Sequence, residues 1–72
     1  MSKDERPIVV GDWFEDLDPR QGNRVVRVVE VQAWTSTAWY EIEVAELNPK
    51  TVGKKVAVGF AGLRKRYRRV SR

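Results

Sequence analysis

Arg24 to Gln32 reads Arg-Val-Val-Arg-Val-Val-Glu-Val-Gln, and no other run constrains the fold as much. Its five valines are stiff at χ1 and sit better on a pleated sheet than in a helix. A strand over 24–32 follows. Its alternation is imperfect: Val26 and Val28 share one face with Glu30, while Val25, Val29 and Val31 share the other with Arg27. Both faces are therefore expected to be partly covered. A bend or bulge near Val28–Val29 would resolve the mixture by re-aiming the later side chains, as happens where a sheet curls into a small barrel.

The flanking segments continue the β pattern. Ile8-Val9-Val10, Gly11-Asp12 and the bulk of Trp13 and Phe14 give a short strand at about 9–16. Asp18-Pro19-Arg20-Gln21 has the make-up of a type I turn, proline fixing φ at its second position, and Gly22-Asn23 extends the loop, which spans 17–23. After the polar turn Trp34–Thr37, residues 38–45 alternate cleanly, with Ala38, Tyr40, Ile42 and Val44 inward and Trp39, Glu41 and Glu43 outward. Asn48-Pro49-Lys50 and Gly53 mark another turn, and Lys54 to Phe60 form a fourth strand with Val56, Val58 and Phe60 on one side.

Phe60, Leu63, Tyr67 and Val70 fall at helical spacing. Gly59, Gly62 and the short length weigh against a helix, because isolated helices below about 12 residues are marginal. The reading adopted is one tight 3-10 turn at 61–65 and a closing strand at 66–70. The expected fold class is all-β, a small five-stranded antiparallel SH3-like barrel with turns every 8 to 12 residues.

With 72 residues the chain has room for one domain, placed at 8–70, with a flexible tail at 1–7 and a C-terminal end at 71–72. Cysteine and histidine are both absent, which removes disulfides and the usual structural zinc sites as reinforcement. No run approaches a membrane-spanning length of about 20 apolar residues, and the start lacks the apolar core of a signal peptide. The expected location is the cytoplasm.

Gly11-Asp12, Phe14, Asp16, Asp18 and Arg20, followed by Arg24-x-Val26-Arg27-Val28, resemble short proteins of unknown function from actinobacteria and their phages. The resemblance implies a small barrel of phage type, in the host cytoplasm if phage-encoded, and assigns no activity. The Gly-Asp start is also similar to small barrels bound to ribosomes or RNA polymerase, although the glycine spacing of that motif is missing after Val31.

Charge points to function. From Leu47 to Arg72 there are nine basic side chains and no acid, whereas residues 1–46 carry five basic and ten acidic ones. Polarisation of this kind suits a charged partner. The densest stretch is Arg64, Lys65, Arg66, Arg68, Arg69 and Arg72, with Lys54, Lys55 and Arg27 expected nearby. Arginine forks match phosphate oxygens, and Tyr67 among them could stack on a base. No recognition helix, zinc finger or aromatic ribonucleoprotein motif appears, so DNA or RNA would be bound through backbone or shape. The competing reading is a solvated C-terminal strand whose Tyr67 and Val70 fill the core.

Other constellations carry less. Trp34, Trp39 and Tyr67 could form an exposed stacking platform, and Trp39, on the outward face of a clean strand, could anchor a protein partner. The opposing reading packs Trp39 over the loop at Trp34. Asp12, Glu15, Asp16 and Asp18 crowd one turn without the glycine and closing glutamate of a calcium loop, and pairing with Arg20, Arg24, Arg27 or the basic segment explains them better than a metal. Catalysis lacks histidine and cysteine, and Ser2, Ser36 and Ser71 lie in loops or tails. The sequence therefore indicates a non-enzymatic binding module without cofactor or metal. Its partner is nucleic acid or a nucleoprotein; the alternative is a protein docked on a strand edge and Trp39, and free edges leave self-association open.

Overall fold

The computed structural model describes residues 6–71. Residues 1–5 of the tail expected at 1–7, and Arg72, lie outside the described residues, while the carbonyls of Arg6 and Pro7 accept hydrogen bonds from Arg64 and Arg69. Five strands, β1 (Trp13–Asp16), β2 (Arg24–Gln32), β3 (Thr37–Ala45), β4 (Lys55–Gly59) and β5 (Tyr67–Val70), make one antiparallel sheet in the order β4-β3-β2-β1-β5. The sheet is not closed into a barrel: β4 and β5 are its two edges, unpaired with each other. Short 3-10 turns at Pro19–Gln21, Ala33–Thr35 and Pro49–Thr51 join the first four strands. The first strand is shorter than the expected 9–16, because Val10 and Gly11 turn, with Gly11 at φ 98°, before pairing begins.

Two bulges between β2 and β3 decide which side chains face the core. Val28 pairs with Tyr40 and Glu30 with Trp39, so Val29 is the extra residue. The expected bulge is therefore present. It returns Glu30 to the outer face and lets Val31 follow Val26 and Val28 inward. A second bulge, at Glu43 opposite Val25/Val26, was not anticipated. It turns Ala45 inward, 7% exposed, where the plain alternation had placed Val44.

The segment after β4 corrects the expected 3-10 turn. Residues Phe60–Arg66 form one α-helix, α1. Isolation would make seven residues unstable, but Leu63 is wholly buried and Phe60 packs against the core, so tertiary contact supplies what propensity lacks. Basic residues in its last turn face the negative end of the helix dipole. The helix runs from the Ser36 end of the sheet, where Phe60 N donates to Ser36 O at 2.8 Å, to the Leu17 end, where Arg66 O accepts from Leu17 N at 3.0 Å. Ile8, Phe14, Val26, Val28, Ala38, Tyr40, Ile42, Leu63 and Tyr67 form the core. Among the described residues no helix is long and apolar enough to cross a membrane.

Candidate functional site

The basic run divides at Tyr67, where helix gives way to strand. Beyond it the register sets Arg68 opposite Glu15 and Arg69 opposite Phe14. Arg68 Nη2 bonds Glu15 Oε1. Arg69 Nη1 bonds Asp12 Oδ2 at 2.5 Å, its Nη2 bonds the carbonyl oxygen of Arg6 at 3.1 Å, and its guanidinium lies 5.2 Å from the Phe14 ring. The Arg69 side chain is only 12% exposed. Both arginines are bonded to the protein's own carboxylates and do not form an open cationic strip. Val70, opposite Trp13, is likewise not in the core cluster, because Tyr67 and Arg69 take the inward positions of this strand.

Before Tyr67 the situation reverses. Arg64, Lys65 and Arg66 are all exposed. Arg64 Nη2 bonds the neutral carbonyl oxygen of Arg6 at 3.1 Å, and among the described residues no carboxylate pairs with it. Among the described residues neither Lys65 nor Arg66 has an acidic partner, and the same holds for Lys54 in the turn before β4. Lys55 and Arg27 depart from the expected patch: Lys55 Nζ pairs with Glu30 at 3.1 Å and Arg27 Nε with Glu43 at 3.1 Å. Arg27 and Glu43 lie diagonally on adjacent strands, whereas Lys55 of β4 reaches over Trp39 of β3 to Glu30 of β2.

The aromatic platform does not assemble. Tyr67 is 7% exposed, Trp39 is half-buried with Lys55 Nζ 5.4 Å from its ring centre, and only Trp34 stands free, at 87% exposure. Trp39 is thus partly covered by Lys55, and the expected packing over the loop at Trp34 is not what covers it, Trp34 itself standing in solvent. Trp34 sits in the 3-10 turn that Ser36 ties to the start of α1.

A polar cluster lies on the inner face, where the sequence reading offered Arg24 as a partner for the acidic turn but not the two tyrosine hydroxyls. Arg24 Nη2 bonds Asp16 Oδ2 and the Tyr67 hydroxyl, the latter at 2.9 Å, and the Tyr40 and Tyr67 hydroxyls lie 3.0 Å apart. Burial, followed by that hydroxyl contact, pushes the Tyr40 phenol well above its ordinary range. Alternation carries the signal that could have found this cluster: Arg24 is two residues before Val26, and Asp16 two after Phe14, so both point inward. The remaining acid of the turn, Asp18, caps Pro19–Gln21, and hydrogen bonds from the Arg20 side chain and backbone lower its pKa.

Beside the cluster opens a cleft of about 510 Å³, walled by Asp16, Leu17, Asp18, Arg24, Arg66 and Tyr67 on one side and by Val56, Ala57 and Val58 of β4 on the other. It is the unclosed seam of the sheet. Among the described residues no group of three potential metal ligands gathers. No family model, curated protein or solved structure matches this chain.

Proposed function

We propose that the protein is a small non-enzymatic module of SH3-like, partly open barrel type that binds nucleic acid through the phosphate backbone, with Arg64, Lys65 and Arg66 as its principal contacts. One observation carries this reading: of the cations in the basic third, those on β5 and β4 meet the protein's own acids, whereas three consecutive charges on α1 stand in solvent with no acidic partner among the described residues. Clustered, uncompensated charge on a rigid turn suits phosphates, and it specifies no base. Lys54 adds a further free charge. Trp34, fixed to the other end of α1, offers a surface on which an unpaired base can stack. The resemblance to phage-type proteins agrees with a compact cytoplasmic accessory protein of this sort.

The test is a titration with unrelated duplex DNA and with single-stranded RNA at several salt concentrations. Three phosphate contacts give a slope of log affinity against log salt of about −3. Replacing Arg64, Lys65 and Arg66 together by alanine should remove binding while leaving the melting curve in place, since none of the three side chains is buried. Undiminished binding by that variant refutes the reading.

A further inference from the structure

The free edge of β4 forms one wall of the cleft, and its register with β3 shows which backbone groups are available there. Ile42 N donates to Lys54 O at 3.0 Å and Phe60 N to Ser36 O at 2.8 Å. Hydrogen-bonded positions alternate along an antiparallel pair, so Val56, Val58 and Phe60 turn their amides toward β3, while Lys54 gives β3 its carbonyl and donates its own amide to Thr51 O. Lys55, Ala57 and Gly59 turn theirs to the open side. Among the described residues no hydrogen bond from another element reaches the Ala57 N–H or C=O. Proteins commonly blunt such an edge with a proline, a bulge or a covering loop. Here it carries one paired lysine, an alanine and a glycine, which leave the backbone within reach.

The cleft beside this edge supplies contacts for side chains. Val56 and Val58, partly buried on the inner face, and Leu17, 52% exposed on the opposite wall, are apolar. The charges divide unevenly. Asp16 is bonded to Arg24 and Asp18 to Arg20, so both acids are compensated. Arg66 has no acidic partner among the described residues, and Arg24 uses Nη2 alone, leaving Nη1 unbonded and not buried. The uncompensated charge facing the cleft is therefore positive.

We propose that an extended acidic peptide adds to β4 as a further strand, pairing with Lys55, Ala57 and Gly59. Its inward side chains set an apolar residue against Val56, Val58 and Leu17 and a carboxylate against Arg66 and Arg24. Main-chain pairing supplies affinity in this mode and alternate side chains supply selectivity. The peptide site goes beyond the phosphate-binding reading and shares only Arg66 with it.

The probe is a blocked peptide alternating threonine and valine, with one valine replaced by glutamate, titrated into the 15N-labelled full chain. Amide shifts are expected at Lys55, Ala57, Gly59 and Arg66. Exchanging the glutamate for lysine should weaken binding about tenfold, as Arg66→Ala does for the original peptide. Ala57→Pro removes an N–H that β3 does not use, a place where an edge strand tolerates proline, and should weaken binding at least tenfold. Should that variant unfold, N-methylation of the peptide at its edge-facing amides makes the same test from the ligand side. The proposal fails if β4 does not respond to millimolar peptide, or if the N-methylated peptide binds as well as its parent. It also fails if the β4 shifts track protein concentration alone, which would make a second copy the occupant. Duplex DNA binding by Ala57→Pro, and peptide binding by an Arg64→Ala, Lys65→Ala double variant, keep this outcome separate from that of the phosphate reading.

Discussion

Two halves of one basic run, separated by Tyr67, have opposite fates. On α1 each residue turns about 100° from the last, so three consecutive cations fan outward once Leu63 points to the core. On β5 the period is two, and the strand lies beside β1, whose own flank is acidic. Arg68 and Arg69 therefore meet Glu15 and Asp12, and their charge is cancelled within the fold. Adjacent like charges in a sequence become a patch only where the backbone period and the neighbouring element both permit it. At the two ends of β1 the same device appears twice: Asp12 pairs with Arg69 at one end and Asp16 with Arg24 at the other, each arginine inward on its strand.

The largest effect expected from breaking this comparison is on the paired side. Asp12→Ala removes a carboxylate bonded to the nearly buried Arg69 guanidinium and should lower stability by about 2–3 kcal/mol, less than a fully buried pair because both groups keep some water. Chemical denaturation reads this directly. The matching removal on α1, Lys65→Ala, should change stability by less than about 0.5 kcal/mol. Equal losses would mean that the two halves do not differ as described.

Next in size is Trp34. If α1 and this side chain act on one strand of nucleic acid, Trp34→Ala should cost about 1–2 kcal/mol in binding single-stranded RNA and leave duplex DNA unaffected, since only unpaired bases can stack. Quenching of tryptophan emission by the RNA should fall in the same variant. Equal loss on both ligands would make Trp34 a general contact instead of a stacking surface.

The inner-face cluster answers to pH. The Tyr40 phenol is raised in the folded state, so the native protein keeps a proton that the unfolded chain releases near its ordinary value of about 10. Its contribution is complete below that pH and is lost as pH rises above it, because there the unfolded chain binds fewer protons than the native one. Thermal melts should therefore fall in alkali. Tyr40→Phe should remove part of that fall while lowering stability at neutral pH by about 1 kcal/mol through the lost hydroxyl contact with Tyr67.

How much of this was legible in the sequence follows from the range of the forces involved. The β2 and β3 strands are local: valine stiffness and the Ala38–Ile42 alternation announce them, and even the Val29 bulge is implied by a glutamate that would otherwise enter the core. Helix α1 is not local. Its seven residues are held by the burial of Leu63, which depends on strands far away in sequence. The pairing of β5 with β1 is similarly remote, and with it the cancelling of Arg68 and Arg69, although acid–base pairing with the basic segment was among the readings the composition allowed. Pairing of Arg24 with the acidic turn was legible in the sequence, but its inward place beside Val26 and Phe14, against two tyrosine hydroxyls, depends on the β1–β2 register and on remote β5.

The smallest change sharpens the comparison most. Arg68 lies 67% exposed, and its partner Glu15 is on the outer face. An exposed pair of this kind contributes under about 1 kcal/mol to folding, so Glu15→Gln should alter stability by a few tenths. It does, however, release a cation two residues beyond the α1 group. If position in the fold, and not residue type, decides which arginines face a ligand, the released side chain joins the others. The salt slope for duplex DNA should then steepen by about 1 relative to the native protein, the increment for one additional phosphate contact. An unchanged slope would show that Arg68 cannot reach the ligand even when free, and that the interface ends at Arg66.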